Sequence, residues 1–390
     1  MTPAVVTPPV AANASLRRAL DLCLAKTRRN IEALAERPAT WAFAVDGHYP
    51  EWNEGFYEIG NWTSSFITGM ALLAWRETED EHFIRQVERL EPWYAAKVGE
   101  HAEETMHDLG FLYSLYSVAL YKLTGEARHR EMGLKAAEVL AGRFVPKGGY
   151  IRAWGRMDDV ANDYEGLAII DCMMNLPLLY WAAEETGDLR FKEIAVRHSD
   201  MTLRWFVRAD DSVYHAYRFD PVLGSPAGGD NYCGRSIDSH WARGTAWAIY
   251  GFAMGYRYTG NSDYLGAAVR VARRFISLLD EEVVPVWDFR MEKGAPVICD
   301  SSAAAVAVCA FQELEAVGAA DEGISAAKRA LLERLCSEDY LDHDLAVEGV
   351  LKHGQVGDGV GKAKSAYTSW GDYYLMEALA REMGMKETWW

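Results

Sequence analysis

The stretch Leu176-Pro177-Leu178-Leu179-Tyr180-Trp181-Ala182-Ala183-Glu184-Glu185-Thr186-Gly187-Asp188-Leu189-Arg190-Phe191 decides how the whole chain reads. A run that is apolar around its full circumference stops at Thr-Gly, and a more charged helix begins directly after it. Gly187 supplies the left-handed residue that commonly ends a helix. The same turn occurs at Leu123-Thr124-Gly125-Glu126 and Tyr258-Thr259-Gly260-Asn261, and without glycine at Glu77-Thr78-Glu79-Asp80. In each repeat the apolar helix belongs to an inner layer and its amphipathic successor to an outer one. Helical spacing of apolar residues recurs from about 15–37 through 62–78, 81–98, 106–124, 127–143, 165–186, 189–207, 239–258, 262–279, 300–318, 321–337 and 370–384, roughly twelve helices or about six pairs. Such alternation predicts an all-α fold, a closed (α/α)6 barrel. Residues 15–390 are expected to form it as a single domain, after a disordered N-terminal segment over residues 1–14.

Half of the 390 residues are hydrophobic, and 14 Trp, 20 Tyr and 13 Phe provide for a large core. The formal net charge of -17 comes from 57 acidic against 40 basic residues, and no basic stripe interrupts it. Such a surface repels phosphate backbones, which excludes nucleic-acid binding but leaves room for a small anionic ligand met by a few local cations. The six cysteines, Cys23, Cys172, Cys233, Cys299, Cys309 and Cys336, form no Cys-x-x-Cys pair. Scattered thiols in apolar runs suit a reducing compartment, so a cytoplasmic protein is expected. The first fourteen residues show no signal-peptide pattern, and no apolar stretch is long enough to span a bilayer.

The chemistry gathers where loops enter inner helices. Asp171 is the lone carboxylate in Ile169-Ile170-Asp171-Cys172-Met173-Met174-Asn175-Leu176. Desolvation there disfavours its ionised form, which suits a general acid, although a capping or ion-paired role is the plain alternative. Asp108, in His107-Asp108-Leu109-Gly110-Phe111, reads by spacing as a first-turn acid that complements a helix dipole. Two carboxylates in different surroundings suggest a protonated acid beside an ionised partner. Arg243 opens the helix Trp241-Ala242-Arg243-Gly244 and needs a buried anion, either a protein carboxylate or a ligand. His215 lies in a hairpin-like loop, and Trp62 and Trp154 stand at loop-to-helix junctions where flat rings suit sugars. Asp300-Ser301-Ser302 reads as a helix N-cap without chemistry. No compact His/Cys cluster or phosphate loop is present, so neither metal nor cofactor is expected.

Taken together, these segments resemble the unsaturated glucuronyl hydrolases of glycoside hydrolase family 88. The matching stretches are Trp62-Thr63 with Phe66 and Thr68-Gly69-Met70, His107 to Phe111, Ile169 to Leu176, Tyr214-His215 with Phe219-Asp220-Pro221, Trp241 to Gly244, and Trp370-Gly371-Asp372-Tyr373-Tyr374 with Glu377-Ala378-Leu379. The likeness runs over about residues 15–385 and implies the (α/α)6 barrel reached independently from the turns. It also implies removal of the 4,5-unsaturated glucuronic acid that lyases leave at the non-reducing end of uronate oligosaccharides. By that resemblance Asp171 is the general acid and base and Asp108 assists it. His107, His215, Arg243, Trp62, Trp154 and Trp247 would bind the sugar.

The implied reaction hydrates a vinyl ether. Asp171 protonates C4, positive charge develops at C5 and the ring oxygen, water adds at C5, and the hemiketal opens to expel the aglycone. The chain departs from the family at Cys233-Gly234, where Gln-Gly is common, and at Ser365 to Ser369, where Asp-Glu-Ser often precedes the Trp. Three alternatives stand beside this reading: a family 105 unsaturated rhamnogalacturonyl hydrolase, an ordinary inverting glycosidase, and a non-catalytic sugar-binding barrel. The expected partner is an unsaturated uronate oligosaccharide, with no nucleic acid and no membrane, for a monomer or dimer.

Overall fold

The structure is a computed structural model that describes residues 10–38, 41–50, 62–159, 163–292, 294, 297–357 and 365–390. Expectations for residues 1–9 and for the loop over 51–61 lie outside the described residues. The helix expected from about residue 15 begins at Val10 and runs to Glu36, so residues 10–14 extend it rather than precede it.

Among the described residues, six inner segments close on themselves. Ser64–Thr78 packs on Leu109–Tyr113 and on its π-helical continuation Ser114–Val118. Leu109–Tyr113 meets Leu176–Thr186, which meets Ala242–Thr259. Ser301–Ala316 and Ser369–Glu382 follow in turn, and Ser369–Glu382 returns to Ser64–Thr78 to complete the ring. Outside it, Val10–Glu36, Glu81–Glu88, Ala127–Gly142, Leu189–Trp205, Ser262–Ile276 and Glu322–Leu335 each cover one or two inner helices. Inner helices are buried on every side, as their unbroken apolar runs require. This is the (α/α)6 arrangement that the turns predict. Among the described residues no helix is long and apolar enough to cross a membrane.

The repeated turn is built the same way four times. Gly125, Gly187 and Gly260 take φ of 71°, 74° and 69°, and Glu79 takes the same left-handed region at 55°. The threonine before each residue explains the rest of the pattern. Thr78, Thr124, Thr186 and Thr259 each donate a hydroxyl to the carbonyl four residues back. Each also accepts the backbone N–H two residues ahead. One side chain thereby ties the last turn of one helix to the start of the next.

Two helical expectations need correction. The span 81–98 divides into Glu81–Glu88 and Glu91–Gly99, with Pro92 in the first turn of the second. The span 165–186 is a strand Leu167–Ile169, a 3-10 turn Ile170–Met174, and a helix only from Leu176 to Thr186. Pro177 sits in that helix's first turn, the part of a helix where a residue without a backbone N–H is tolerated. The strand pairs antiparallel with Ala216–Phe219, Ile169 facing Ala216, and Ala216–Phe219 pairs in turn with Pro226–Asp230. Asp171 therefore sits in a short 3-10 segment between a sheet and an inner helix, not within an α-helix.

One contact fixes how near that turn comes to its neighbour. A Cβ on Gly110 would fall 2.3 Å from the Asn175 Cα and 2.5 Å from its carbonyl oxygen, and Phe111 N–H donates to Asn175 Oδ1 at 2.7 Å. Backbone atoms cannot swing aside as a side-chain tip can. Gly110→Ala is expected to lower the unfolding free energy by about 2 kcal/mol in urea titration. A midpoint unchanged from wild type would show that the seam is looser than described.

Candidate active site

The ring's loop end, opposite the Thr-Gly turns, opens into a cavity of about 780 Å³. That volume suits a small ligand. Trp62, His107, Asp108, Trp154, Asp171, His215 and Arg243 all line it. Trp247 does not. It is fully buried beneath, with Phe111 at 5.3 Å and Tyr374 at 5.2 Å between ring centroids, so its expected sugar contact is corrected to a place in the barrel core. An apolar helix looks the same from its sequence on its axial and cavity faces, and this hides the distinction.

The two carboxylates share the cavity because Gly110 lets the Leu109–Tyr113 helix touch the turn that carries Asp171. Burial drives the Asp108 carboxyl up to about 7, against the lowering pull of Arg143 and Asn175. Burial likewise raises Asp171 to about 6, with the nearby Asp108 charge adding to the rise and His107 and Arg243 opposing it. Burial thus raises both carboxyls, where the sequence suggests a protonated acid beside an ionised partner. The pair retains a proton near neutrality, and its two titration steps belong to both groups together. Among the described residues, Asp171 Oδ2 is buried without a hydrogen-bond partner.

Two histidines frame the pair in opposite tautomers. His215 Nδ1 accepts the N–H groups of Tyr232 and Cys233 at 2.9 and 3.1 Å. Its proton therefore lies on Nε2, which points at Asp171 Oδ2 from 3.9 Å. His107 Nδ1 instead meets the Ala153 carbonyl at 3.0 Å and must donate to it. Its Nε2 lone pair faces Asp108 Oδ1 at 3.4 Å and has no other partner among the described residues. Burial lowers His107 to about 4 and His215 to about 3, so both stay neutral. The carbonyl of His215 also accepts Ile170 N–H at 3.0 Å, which ties its strand to the Asp171 turn.

Arg243 finds a protein anion. Its Nη1 donates to Asp300 Oδ2 at 2.7 Å and to the Gln355 carbonyl, and its Nη2 donates to the Val356 carbonyl at 3.1 Å. Asp300 caps the helix Ser301–Ala316 as expected, through Ser302 and Ala303 N–H, and is also this ion-pair partner. The guanidinium lies between the Trp241 and Trp370 rings, 4.6 and 5.1 Å from their centroids. Trp370 in turn stacks on Trp62 at 4.8 Å. Trp154 is held edge-on by Tyr232 at 4.6 Å and follows the short strand Tyr150–Ile151 rather than preceding a helix. Tyr232, Asn175 and Arg143 escaped the reading of the sequence, since each acts through pairings between distant segments. Cys233, where the family pattern has Gln, lines the cavity and meets His215 through its backbone.

Among the described residues, Glu88, Glu126 and His129 have a metal-like grouping, but it lies outside the cavity and Arg128 bonds both carboxylates. Anions raised by burial weaken the fold that holds them. Between an unfolded aspartate's pKa of about 4 and the folded value, the native state keeps a proton that the unfolded chain has lost, so this contribution to stability falls as pH rises. Asp108→Asn is expected to raise Tm at pH 8 by about 2 °C or more and to gain little at pH 4. Thermal unfolding by circular dichroism at both pH values checks this, and a lower Tm at pH 8 would contradict it.

The model of Glycosyl Hydrolase Family 88 matches residues 42–292. The unsaturated glucuronyl hydrolase of Bacillus sp. (strain GL1) is 37% identical over 338 residues, covering 84% of this chain and 88% of that protein. The unsaturated chondroitin disaccharide hydrolase of Streptococcus pyogenes serotype M1 is 35% identical over 374 residues, covering 94% of this chain and 90% of that protein. The crystal structure of the Bacillus sp. GL1 unsaturated glucuronyl hydrolase, described as responsible for the degradation of glycosaminoglycan, superposes with a TM-score of 0.86 at 34% identity. That superposition covers 96% of this chain and 99% of the other. With a closed ring of helix pairs, a pair of buried aspartates in its mouth and relatives that match it nearly end to end, the chain belongs to glycosyl hydrolase family 88.

Proposed function

We propose that residues 15–390 act as one catalytic unit that removes 4,5-unsaturated glucuronic acid from the non-reducing end of lyase-generated oligosaccharides, including unsaturated chondroitin disaccharides. The observation that carries this reading is the pair Asp108 and Asp171, both raised toward neutrality in one aromatic-walled cavity. Such a pair offers a proton and a negative charge side by side, as protonation of an electron-rich double bond requires. The relatives' named activities point the same way.

In this mechanism Asp171 delivers its proton to C4 of the unsaturated ring. The electron pair of the double bond forms the new C–H bond, and positive charge spreads over C5 and the ring oxygen. The Asp108–Asp171 pair, now carrying a negative charge, stabilises that cation. Water adds at C5 and gives its proton to the Asp171 carboxylate, which restores the acid. The hemiketal then opens and the aglycone departs.

On binding, the uronate carboxylate brings a further negative charge that raises both acids. Binding thus supports protonation of Asp171 when it is needed. His215 offers its Nε2–H beside Asp171, and Trp62 and Trp154 offer ring faces to the sugar. Arg243, already neutralised by Asp300, orients more than it attracts. The free thiols of all six cysteines support a cytoplasmic setting.

The test is a panel of lyase-generated disaccharides, followed by loss of ultraviolet absorbance from the conjugated double bond. Turnover is expected on unsaturated uronides and not on saturated ones. Asp171→Asn should lower kcat by about 10⁴-fold or more with the helical spectrum unchanged. Turnover kept in that variant would refute the role assigned to Asp171. Trp62→Ala is expected to raise KM about tenfold, against little change for Trp247→Phe. Equal effects of the two would remove the distinction between cavity wall and core.

A further inference from the structure

Behind the acid pair lies a buried guanidinium that the mechanism above does not use. Arg143, the residue after the helix Ala127–Gly142, is 1% exposed. Among the described residues it has no carboxylate within ion-pair distance, and it spends its donors on five carbonyl oxygens. Nη1 bonds Thr105 at 2.6 Å, Nε bonds Arg152 at 2.9 Å, and Nη2 bonds Ala153, Trp154 and Gly155 at 3.1, 3.2 and 3.0 Å. These acceptors belong to two rim segments, the one leading to His107 and Asp108 and the one carrying Trp154.

The Ala153 carbonyl is the joint between them. Besides Arg143 it receives the backbone N–H of His107 and the ring Nδ1–H of His107, each at 3.0 Å. A carbonyl can only accept, so this bond places the imidazole proton on Nδ1 and leaves the Nε2 lone pair toward Asp108. We propose that Arg143 is a positioning residue for the acid pair, fixing the tautomer of His107 through the Ala153 carbonyl and keeping a permanent positive charge behind Asp108.

The charge persists through neutral pH, since burial and the neighbouring Arg152 lower the Arg143 pKa only to about 9. The other groups around Asp108 are Asp171, His107 and the Cys172 thiol, whose pKa burial pushes well up and which stays neutral. His215 and Arg243 stand beyond Asp171, and Arg152 and Glu103 flank Arg143. Among these, Arg143 is the cation whose field acts directly on Asp108. Without it, protonated Asp108 is favoured further and the pair loses its second proton only at higher pH.

This inference rests on the catalytic reading above, and its test has one arm that needs no substrate. Arg143→Gln and Arg143→Lys are compared with wild type in kcat and kcat/KM against pH on an unsaturated disaccharide. The Asp108 carboxyl is titrated in parallel by ¹³C NMR, with its signal identified by loss in Asp108→Asn. In Arg143→Gln the Asp108 midpoint should rise by roughly one pH unit, and the alkaline limb of kcat/KM should move with it. Arg143→Lys keeps the charge but has three donors for five carbonyls, so its limb should stay in place while kcat falls about 10- to 100-fold.

An unmoved Asp108 titration in Arg143→Gln, or a wild-type kcat in Arg143→Lys, would overturn the proposal. If Arg143→Gln does not fold, the kcat of Arg143→Lys decides alone. If the wild-type protein turns over no unsaturated disaccharide, the catalytic reading fails while the carboxyl titration still judges Arg143.

Discussion

The place where Gly110 presses against the backbone of Asn175 governs the rest of the molecule. Two neighbouring members of the inner ring meet there without a side chain between them, and Phe111 N–H bonds Asn175 Oδ1 across the gap. One member carries Asp108 at its start, and the other is preceded by the turn that holds Asp171. Had any Cβ stood at position 110, the two carboxylates would be spread apart and less well shielded from water. Proximity and desolvation, the two properties on which the proposed chemistry depends, thus come from one missing methyl group.

The mouth of the barrel is electrostatically austere for a protein so acidic overall. The arginines among the described lining residues are engaged before any ligand arrives: Arg243 by Asp300 and three carbonyl or hydroxyl oxygens, and Arg156 by Glu104 and Asp158. A guanidinium whose charge is already met contributes direction rather than bulk attraction. Under the proposed function, recognition of an anionic sugar leans on stacked tryptophans, on histidines held neutral in fixed tautomers, and on removal of water. Neutral donors and acceptors of this kind do not pin the proton of the acid pair in place, and so leave it free to be transferred.

Features encoded over a few residues were legible in the sequence. The Thr-Gly turns could be found because each one is closed by hydrogen bonds among residues adjacent in the chain, and inner and outer helices followed from circumferential apolarity. The cavity-lining acids, histidines and two of the three tryptophans were also named in advance, from motif order rather than from periodicity. What stayed hidden depends on partners far away in the chain. Apolar spacing puts Asp171 in a helix because strand pairing with Ala216–Phe219 leaves no local mark, although Pro177 signals a late helix start. Trp247 was assigned to the cavity because an all-apolar helix does not announce which face looks down the axis. Arg143 drew no notice, since its partners are backbone carbonyls, which no residue type reveals.

The three Thr-Gly turns and their Thr78-Glu79 counterpart also bear on how the chain reaches this shape. Each joins an inner helix to the next outer one through contacts close in sequence, so these units can form with little loop entropy to overcome. The meeting of Ser369–Glu382 with Ser64–Thr78 joins segments from the two far ends of the ring, and it cannot be secured by any local turn. The toroid is thus assembled from short-range pieces and shut by long-range contacts between its two ends, including the pairing of Phe43–Ala44 with Tyr367–Thr368.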